Sequence, residues 1–339
     1  MIREAISAAV AGESLSMNDA IEVMREVMEG EATPAQLGSY LTALALKGET
    51  PEEIAGFATV MREKSLRVDP GGTAIDTCGT GGDRKGTFNI STAAAFVVAG
   101  AGLTVAKHGN RAASGDCGSA DVLEALGIQI ELPPEGVERC LREIGIGFMF
   151  APAYHPAMRY AAPVRREIGI RTVFNVLGPI TNPAGVSCQL IGVGYPEVGE
   201  KMAEALRLFG THHAIIVHSD DGMDEISLGS DTNGWEVLDG TIRPYVVQPG
   251  RLGLSAATPD DLRGGDPATN AATMRSVLAG VAGPISDAVV LNSAAALVAG
   301  DMAGTLSEGI ELARASIADG KATEKLDAMI SLTQQLRTE

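Results

Sequence analysis

The first 67 residues carry apolar side chains three and four positions apart, which is the spacing of amphipathic helices. Two helix starts are marked by a cap residue before a proline, at Thr33-Pro34 and Thr50-Pro51, and Glu53 completes a capping box with Thr50. We predict three short helices here, which form a smaller all-helical N-terminal domain over residues 1–67. Their apolar stripes are Ile21, Met24, Val27 and Met28; Leu37, Tyr40, Leu41 and Leu44; and Ile54, Phe57, Val60 and Met61.

Beyond the linker Pro70-Gly71-Gly72, short β-rich runs alternate with helical ones. This alternation predicts an α/β domain over residues 73–339, with a mostly parallel central sheet flanked by helices. The predicted strands are 73–76, 103–107, 148–151, 190–193 and 214–218, and the predicted helices among them are 93–101, 119–127, 135–144 and 197–209.

The C-terminal part of the chain departs from that alternation. Residues 235–238 and 241–247 flank Asp239-Gly240, a two-residue turn signal that predicts an antiparallel hairpin. Apolar periodicity and cap residues then predict four alanine-rich helices that cover one face of the sheet. These helices are 269–280, 287–299, 305–319 and 322–337.

Composition narrows the possible classes of protein. The 339 residues include 45% hydrophobic residues, so the chain can bury a large core. A net charge of −17 without a cluster of basic residues makes nucleic acid an unexpected partner. The sequence has no long uninterrupted apolar stretch and no signal-peptide pattern at its N-terminus, so we expect a cytoplasmic protein without membrane contact. The four cysteines form no Cys-x-x-Cys pair and are expected to be reduced thiols.

A glycine-rich loop between a predicted strand and a predicted helix spans residues 76–92. Its glycines allow positive φ and close approach to a ligand, and polar residues follow near the helix start, so the loop predicts a phosphate site. The sequence matches neither the P-loop nor the dinucleotide pattern. Asp83 within the loop suggests a further contact to a sugar, an amine or a shared metal ion. The polar donors are Asn89, Ser91 and Thr92.

Four further stretches bring candidate chemistry to strand ends or loops, where ligands bind in α/β sheets. The segment 107–111 carries Lys, His and Asn side chains, and 114–121 leads into a helix as a second anion cradle. An arginine cluster in an acidic chain suits a carboxylate or phosphate. Adjacent carboxylates in 219–225 suit Mg²⁺, and Asp220, Asp221, Asp224 and Glu225 all remain candidate ligands. The clustered arginines are Arg159, Arg165, Arg166 and Arg171.

Six motifs, in order along nearly the whole chain, closely resemble the anthranilate phosphoribosyltransferase family. The resemblance implies a small helical domain beside an α/β domain, and transfer of phosphoribose from 5-phosphoribosyl 1-pyrophosphate (PRPP) to anthranilate in tryptophan biosynthesis. The motifs are Gly79-Thr80-Gly81-Gly82-Asp83, Lys107-His108-Gly109-Asn110-Arg111, Gly118-Ser119-Ala120-Asp121, His155-Pro156-Ala157-Met158, Arg171-Thr172-x-Phe174-Asn175-x-Leu177-Gly178-Pro179 and Asp221-Gly222-Met223-Asp224-Glu225.

The resemblance also implies roles for individual residues. Ser91, Asp224 and Glu225 would hold two Mg²⁺ ions per subunit, and Arg165 would face the anthranilate carboxylate. Anthranilate would also contact Gly79, Asn110, His108 and His155. The family forms a homodimer through the helical domain, and its chain returns to that domain near residues 165–185. The residues implied for PRPP are Gly79, Gly82, Asp83, Thr87, Asn89, Ile90, Ser91, Thr92, Lys107, His108, Gly109, Asn110, Arg111, Ala112, Ala113, Ser114, Gly115 and Ser119.

One departure from the family pattern concerns the phosphate side of the site. Asp116 stands where the family pattern has a lysine, so Lys85 or Arg111 would have to supply that cation. Two alternatives share the architecture. A pyrimidine nucleoside phosphorylase would carry Lys-His-Ser-Thr before the glycines, where this chain has Asp76-Thr77-Cys78. A non-catalytic relative that binds nucleic acid conflicts with the charge of −17 and with the Asp224-Glu225 pair.

Overall fold

The computed structural model describes residues 1–112 and 115–338, and it opens with a bundle of four helices rather than the three predicted. The first helix was missed because its buried face consists of Ile2 and two alanines, and because no side chain caps its start. The capping boxes at Thr33 and Thr50 are both formed. The bundle helices are α1 (Ile2–Val10), α2 (Met17–Met28), α3 (Pro34–Lys47) and α4 (Pro51–Glu63).

The centre of the rest of the chain is a seven-stranded sheet in the order β3-β2-β1-β4-β5-β6-β7. The first five strands in this order pair in parallel, and the last two join antiparallel. The predicted hairpin at Asp239-Gly240 is confirmed, with φ of +46° and +78° at these two residues. The strands are β1 (Ile75–Gly79), β2 (Val105–Gly109), β3 (Ile146–Phe150), β4 (Cys188–Gly192), β5 (His213–Ser219), β6 (Thr232–Leu238) and β7 (Thr241–Val247).

Helices cover both faces of this sheet, as the α/β prediction requires. On one face the buried helix α5 packs against the C-terminal helices, and its Phe96 lies in one core with Ile75 and Leu297. On the other face α11 and the bundle share a core that reaches Ile216 of β5. The helices are α5 (Ile90–Ala101), α6 (Ser119–Ala125), α7 (Pro134–Ile144), α8 (Ala151–Tyr154), α9 (Ala162–Ile168), α10 (Phe174–Ile180), α11 (Pro196–Leu208), α12 (Pro267–Leu278), α13 (Pro284–Ala299), α14 (Leu306–Ala318) and α15 (Lys321–Thr338).

The segment between β3 and β4 packs on the helical bundle. Helix α9 contacts α3, and α10 contacts α4. Val164, Phe174 and Leu177 are buried in the same core as the bundle helices. Residues of this segment therefore lie between the bundle and the sheet, beside the carboxyl ends of the strands.

Strand boundaries differ from the predictions by two or three residues in β1, β2, β3, β4 and β6. The first predicted strand, 73–76, begins and ends earlier than β1, and 148–151 begins later than β3. The first strand ends later than predicted because β1 continues into the glycine loop as far as Gly79, where it still pairs with Gly192. In the part of the chain that the structure describes, no helix is long and apolar enough to cross a membrane.

Candidate active site

The loops that follow β1, β2, β4 and β5 meet at the carboxyl edge of the sheet. Strand register aligns Gly79 with Gly192, and Gly192 with Val217, so the loop after β1 starts next to the loops after β4 and β5. Parallel pairing thus brings together stretches that are far apart in sequence. This edge also faces the segment that packs on the bundle.

The phosphate loop after β1 is held by a carboxylate from the loop after β5. Asp224 Oδ2 accepts the N–H of Gly81 at 2.8 Å. The same oxygen lies 2.6 Å from the position that a Cβ on Gly79 would occupy. Gly81 and Gly82 have φ of +64° and +80°, a backbone that favours glycine. The close approach of Asp224 therefore depends on the absence of a side chain at residue 79.

The start of α5 presents the second half of this loop. Asn89 links two other loops, donating to the Cys117 carbonyl at 3.0 Å and accepting from Asn270 at 2.9 Å. The Ser91 N–H donates to Glu225 Oε1 at 3.1 Å. Ile90 is fully buried and its N–H donates to the Phe88 carbonyl at 2.7 Å, so it has little to offer a ligand directly. Thr92 is also buried, and Thr87 forms an isolated bridge with Arg263.

Three carboxylates crowd the phosphate loop. Burial and the neighbouring Asp83 raise the pKa of Asp224 to about 7. Burial and then Asp224 raise the pKa of Glu225 to about 8. Asp83 Oδ2 is buried and has no hydrogen-bond partner. A cation bound here would relieve this repulsion and would satisfy the free oxygen, so the donor set fits a hard divalent ion.

The metal site is incomplete when the protein side chains are considered alone. Within residues 1–112 and 115–338, no three His, Cys, Asp or Glu side chains are arranged to hold a metal ion. Mg²⁺ commonly uses one or two carboxylates and takes its other oxygens from water and substrate phosphate. The pair Asp224 and Glu225 matches that pattern.

The four acidic residues of the loop after β5 that are candidate Mg²⁺ ligands have different hydrogen-bond partners. Asp220 accepts from Asn233 at 2.8 Å, and Asp221 accepts from the Ser227 hydroxyl at 2.5 Å. These two carboxylates serve the turn itself. Of the four, Asp224 and Glu225 are the ones bonded to the phosphate loop and to the start of α5.

A buried network anchors β2 beneath the phosphate loop. Lys107 is 4% exposed, and its ammonium donates to the Thr77 carbonyl. Asp76 is fully buried, which raises its pKa to about 6, and it accepts from Asn182 at 2.8 Å and from the His108 N–H at 3.3 Å. No local pattern in the sequence marks the hydrogen bond between Asp76 and Asn182, because the two residues are 106 positions apart.

Two buried histidines face each other beside this network. The ring centroids of His108 and His155 are 5.0 Å apart, and neither Nε2 has a hydrogen-bond partner. A backbone group of Gly178 hydrogen-bonds His108, and backbone groups of Met61 and Thr181 hydrogen-bond His155. Burial lowers the pKa of His108 to about 3 and that of His155 to about 4, so both rings are neutral. Their Nε2 lone pairs can accept hydrogen bonds from a ligand.

Arg165 lies on α9, and Asn110 follows β2. The Arg165 guanidinium lies 5.1 Å from the centre of the Phe174 ring, is half-buried, and has its pKa lowered by burial. No ion pair to Arg165 is present among the described residues. Asn110 is exposed after β2, and its backbone carbonyl accepts from the Ser119 hydroxyl at 3.1 Å. Arg165 is therefore a cation available to a carboxylate ligand.

In the loop after β2, several groups already have partners within the protein. Arg111 pairs with Asp121 at 3.0 Å and Glu124 at 2.8 Å, so it is already neutralised. The Ala112 N–H donates to Asp121 at 2.9 Å. A Cβ on Gly109 would meet the Ser119 hydroxyl at 2.3 Å, whereas one on Gly115 would meet nothing within 4 Å. The predicted site residues Ala113 and Ser114 lie outside the described residues.

Besides Arg111, two other cationic side chains, Lys85 and Arg171, lie near the phosphate loop and the acidic turn. The Lys85 ammonium lies 3.3 Å from the Cβ position of Gly222 in the acidic turn. Arg171, one of the four clustered arginines, places a guanidinium nitrogen 2.6 Å from the Cβ position of Gly82. The arginine cluster was the signal in the sequence, but spacing alone did not distinguish Arg171 from its neighbours.

A glycine loop, buried acids and a buried lysine at the end of a parallel sheet suit a phosphorylated ligand with a divalent ion, and two family models place the chain among the glycosyl transferases. Residues 71–323 match the family model described as glycosyl transferase family, a/b domain. Residues 3–65 match the model of the helical bundle domain of the same family.

Individual relatives identify one family within the glycosyl transferases. An anthranilate phosphoribosyltransferase of Chloroflexus aggregans is 58% identical over 98% of this chain and 98% of that protein. The crystal structure of the Thermus thermophilus enzyme of that name is 45% identical with a TM-score of 0.92, covering 97% of this chain and 99% of that one. The Saccharomyces cerevisiae enzyme in complex with PRPP and Mg is 28% identical with a TM-score of 0.90, covering 98% of both chains. The chain belongs to the anthranilate phosphoribosyltransferase family.

Proposed function

We propose that this chain transfers the 5-phosphoribosyl group of PRPP to the amine of anthranilate and releases pyrophosphate, a step of tryptophan biosynthesis. One observation carries the proposal. Asp224 and Glu225 are hydrogen-bonded to Gly81 and to Ser91, so the acidic pair lies on the phosphate loop. The relatives of 58% identity that bear this name support the same reaction.

The donor is bound on the sheet side of the site. Backbone N–H groups at Gly82 and Asp83 suit phosphate oxygens, because those of Thr80 and Gly81 already donate to the Gly192 carbonyl and to Asp224. The N-terminus of α5 adds the positive end of its helix dipole. Lys107 adds a buried positive charge beside them. A diphosphate bound this way leaves more readily, because the charge that develops on it is already compensated.

Mg²⁺ is the cofactor that the donor site fits, in line with the yeast relative described with PRPP and Mg. We propose two ions per subunit, held by Ser91, Asp224 and Glu225. Bound Mg²⁺ would supply charge neutralisation on the leaving diphosphate. The protein's part is to keep its carboxylates directed at the loop, and the hydrogen bonds from Gly81 and Ser91 do this.

The acceptor is bound on the bundle side. Arg165 has no ion-pair partner among the described residues and suits the anthranilate carboxylate, with Gly79 and Asn110 as further contacts. The neutral rings of His108 and His155 offer lone pairs to the N–H groups of the amine. This orients the nitrogen lone pair toward C1 of the ribose, where the C–N bond forms as the C–O bond to diphosphate breaks. No covalent intermediate with the enzyme is required.

Loss of anthranilate fluorescence tests the reaction directly. We expect loss only when protein, PRPP and Mg²⁺ are all present, and we expect EDTA to stop it. Folded protein that leaves anthranilate unchanged under these conditions would refute the proposal. A parallel arm with a pyrimidine nucleoside and phosphate distinguishes the related phosphorylase reaction, for which we expect no product.

We also propose that two copies of the chain associate through the helical bundle. Val10 on α1 and Leu46 on α3 are 74% and 85% exposed, and these two helices are in contact. Such exposed apolar residues are stabilised when a second copy covers them. Sedimentation should give a dimer for the wild type and a monomer for Leu46→Glu, and an unchanged mass for the variant would contradict this interface. The expected cytoplasmic location stays a prediction.

A further inference from the structure

Arg171 lies directly on the phosphate loop, although it comes from the segment that packs on the bundle. Its Nη1 is 2.6 Å and its Cζ 3.6 Å from the position that a Cβ on Gly82 would occupy. The guanidinium therefore fills the space that glycine leaves free. Gly82 is one of the loop residues with positive φ, so its backbone is exposed to close approach on that side.

An aromatic ring holds this guanidinium in place. The Cζ of Arg171 lies 4.1 Å from the ring centre of Tyr195, the residue that precedes α11. The loop beneath is fixed by the same connection, because the Gly194 N–H donates to the Thr80 hydroxyl at 3.0 Å. Stacking leaves the edge of the guanidinium free to donate hydrogen bonds.

No acidic side chain neutralises Arg171 within the part of the chain that the structure describes. This contrasts with Arg111, which pairs with Asp121 and Glu124. In a protein with a net charge of −17, an arginine beside an anion site that has no carboxylate partner is suited to an anion from outside. The neighbouring groups indicate which anion this is, because the loop N–H groups and the proposed Mg²⁺ ligands Asp224 and Glu225 are both assigned to a diphosphate.

We propose that Arg171, held by Tyr195, binds the diphosphate of the phosphoribosyl donor on the phosphate loop. The assignment rests on the proposed function. The residue would add two parallel N–H donors to the leaving group, and it would do so from the bundle side of the molecule. Its contribution is to the diphosphate and not to the ribose 5-phosphate part of the donor.

Calorimetric titrations with Mg²⁺ present test this assignment. We expect Arg171→Gln to weaken PRPP and pyrophosphate about tenfold or more, as the loss of a charge-assisted pair of hydrogen bonds would. Ribose 5-phosphate, which lacks the diphosphate, should bind with unchanged affinity. Arg171→Lys should lie between the wild type and Arg171→Gln, because it keeps the charge but loses the planar pair of donors.

Matched variants separate binding from folding. Arg166→Gln removes an equally exposed arginine of α9 and should change none of these affinities. Tyr195→Phe keeps the ring and should behave as wild type, whereas Tyr195→Ala should weaken PRPP in the same direction as Arg171→Gln. Equal weakening of ribose 5-phosphate, or unchanged binding of PRPP by Arg171→Gln, would overturn the assignment of Arg171. A wild type that fails to bind PRPP would overturn the proposed function as well.

Discussion

Asp224 and Gly79 lie so close that a methyl group on the glycine would meet the carboxylate at 2.6 Å. The φ of Gly79 is not positive, so a substitution there adds little backbone strain. The nearest atom to such a methyl group is the Asp224 carboxylate oxygen, and the Gly192 carbonyl follows at 3.3 Å.

Gly79→Ala should lower kcat/KM about a hundredfold, because displacing a catalytic carboxylate by about 1 Å has effects of that size. The temperature of unfolding should stay close to that of the wild type. Gly72→Ala is the control, since a Cβ there would meet nothing within 4 Å. Activity within threefold of wild type in Gly79→Ala would contradict the role given to this contact.

The acidic pair should dominate the rate. Asp224→Asn combined with Glu225→Gln removes the charges that suit Mg²⁺, and we expect turnover to fall by more than tenfold, which raises the barrier by more than about 1.4 kcal/mol. Asp220→Asn serves as the matched control, because Asp220 is exposed and bonded to Asn233. Steady-state rates at saturating Mg²⁺ and PRPP make the comparison. Turnover of the double variant within tenfold of wild type would refute this view of catalysis.

His155 should make stability depend on pH in acid. Burial lowers its pKa from about 6.5 to about 4, so the unfolded chain binds the proton more readily than the folded protein does. Stability is full above pH 6.5 and is lost as pH falls toward 4. Between pH 7 and 4.5 this one group should account for about 2 kcal/mol of the loss.

Denaturant unfolding of wild type and His155→Gln at the two pH values isolates that contribution. The variant should lose less stability on acidification than the wild type. Asp76 acts with the opposite sign, because burial raises its pKa, but it is present in both proteins and cancels in the difference. Parallel losses in the two proteins would mean that His155 does not remain neutral in the folded state.

A second histidine should act at the other end of the pH range. His212 contacts Asp301 at 2.6 Å and Asp239 at 2.8 Å, which raises its pKa. The stabilising effect is full below pH 6.5 and is lost as pH rises through the higher folded pKa. His212 is 42% exposed, so solvent screening limits the effect to a few tenths of a kcal/mol.

Thermal unfolding of His212→Gln against wild type checks this sign. The variant should unfold at a slightly lower temperature at pH 5.5, and the two proteins should converge at pH 9. A gap that widens with rising pH would show that the carboxylates are not held by a protonated ring.

The fold prediction rested on local sequence signals such as caps and turns, and it was wrong where those signals are absent. Capping boxes and Asp239-Gly240 identified two bundle helices and the hairpin because each depends on neighbouring residues. Helix α1 has neither a side-chain cap nor a broad apolar stripe, so nothing marked it. Strand ends shifted because a glycine loop does not interrupt backbone pairing at Gly79.

The residue pattern alone predicted less of the site than of the fold. Glycines and paired acids marked the phosphate loop and the turn after β5, but residue-level roles came from the family resemblance. Which of four acids faces the loop was decided by hydrogen bonds across 143 and 134 positions, from Gly81 and Ser91. Contacts of that kind, like the contact of Arg171 with Gly82, follow from packing and have no sequence period.

The packing of α9 and α10 on the bundle separates Arg165, proposed for the acceptor, from most of the groups proposed for the donor. Apart from Arg171, the groups proposed for the donor stand on the sheet and its loops, whereas Arg165 stands on an element that packs against α3. A change in α9 can therefore alter which aromatic amine is accepted while the machinery for phosphoribosyl activation stays intact. Such an arrangement lets acceptor specificity diverge separately from donor chemistry, and it makes α9 the natural place to randomise in a search for new acceptors.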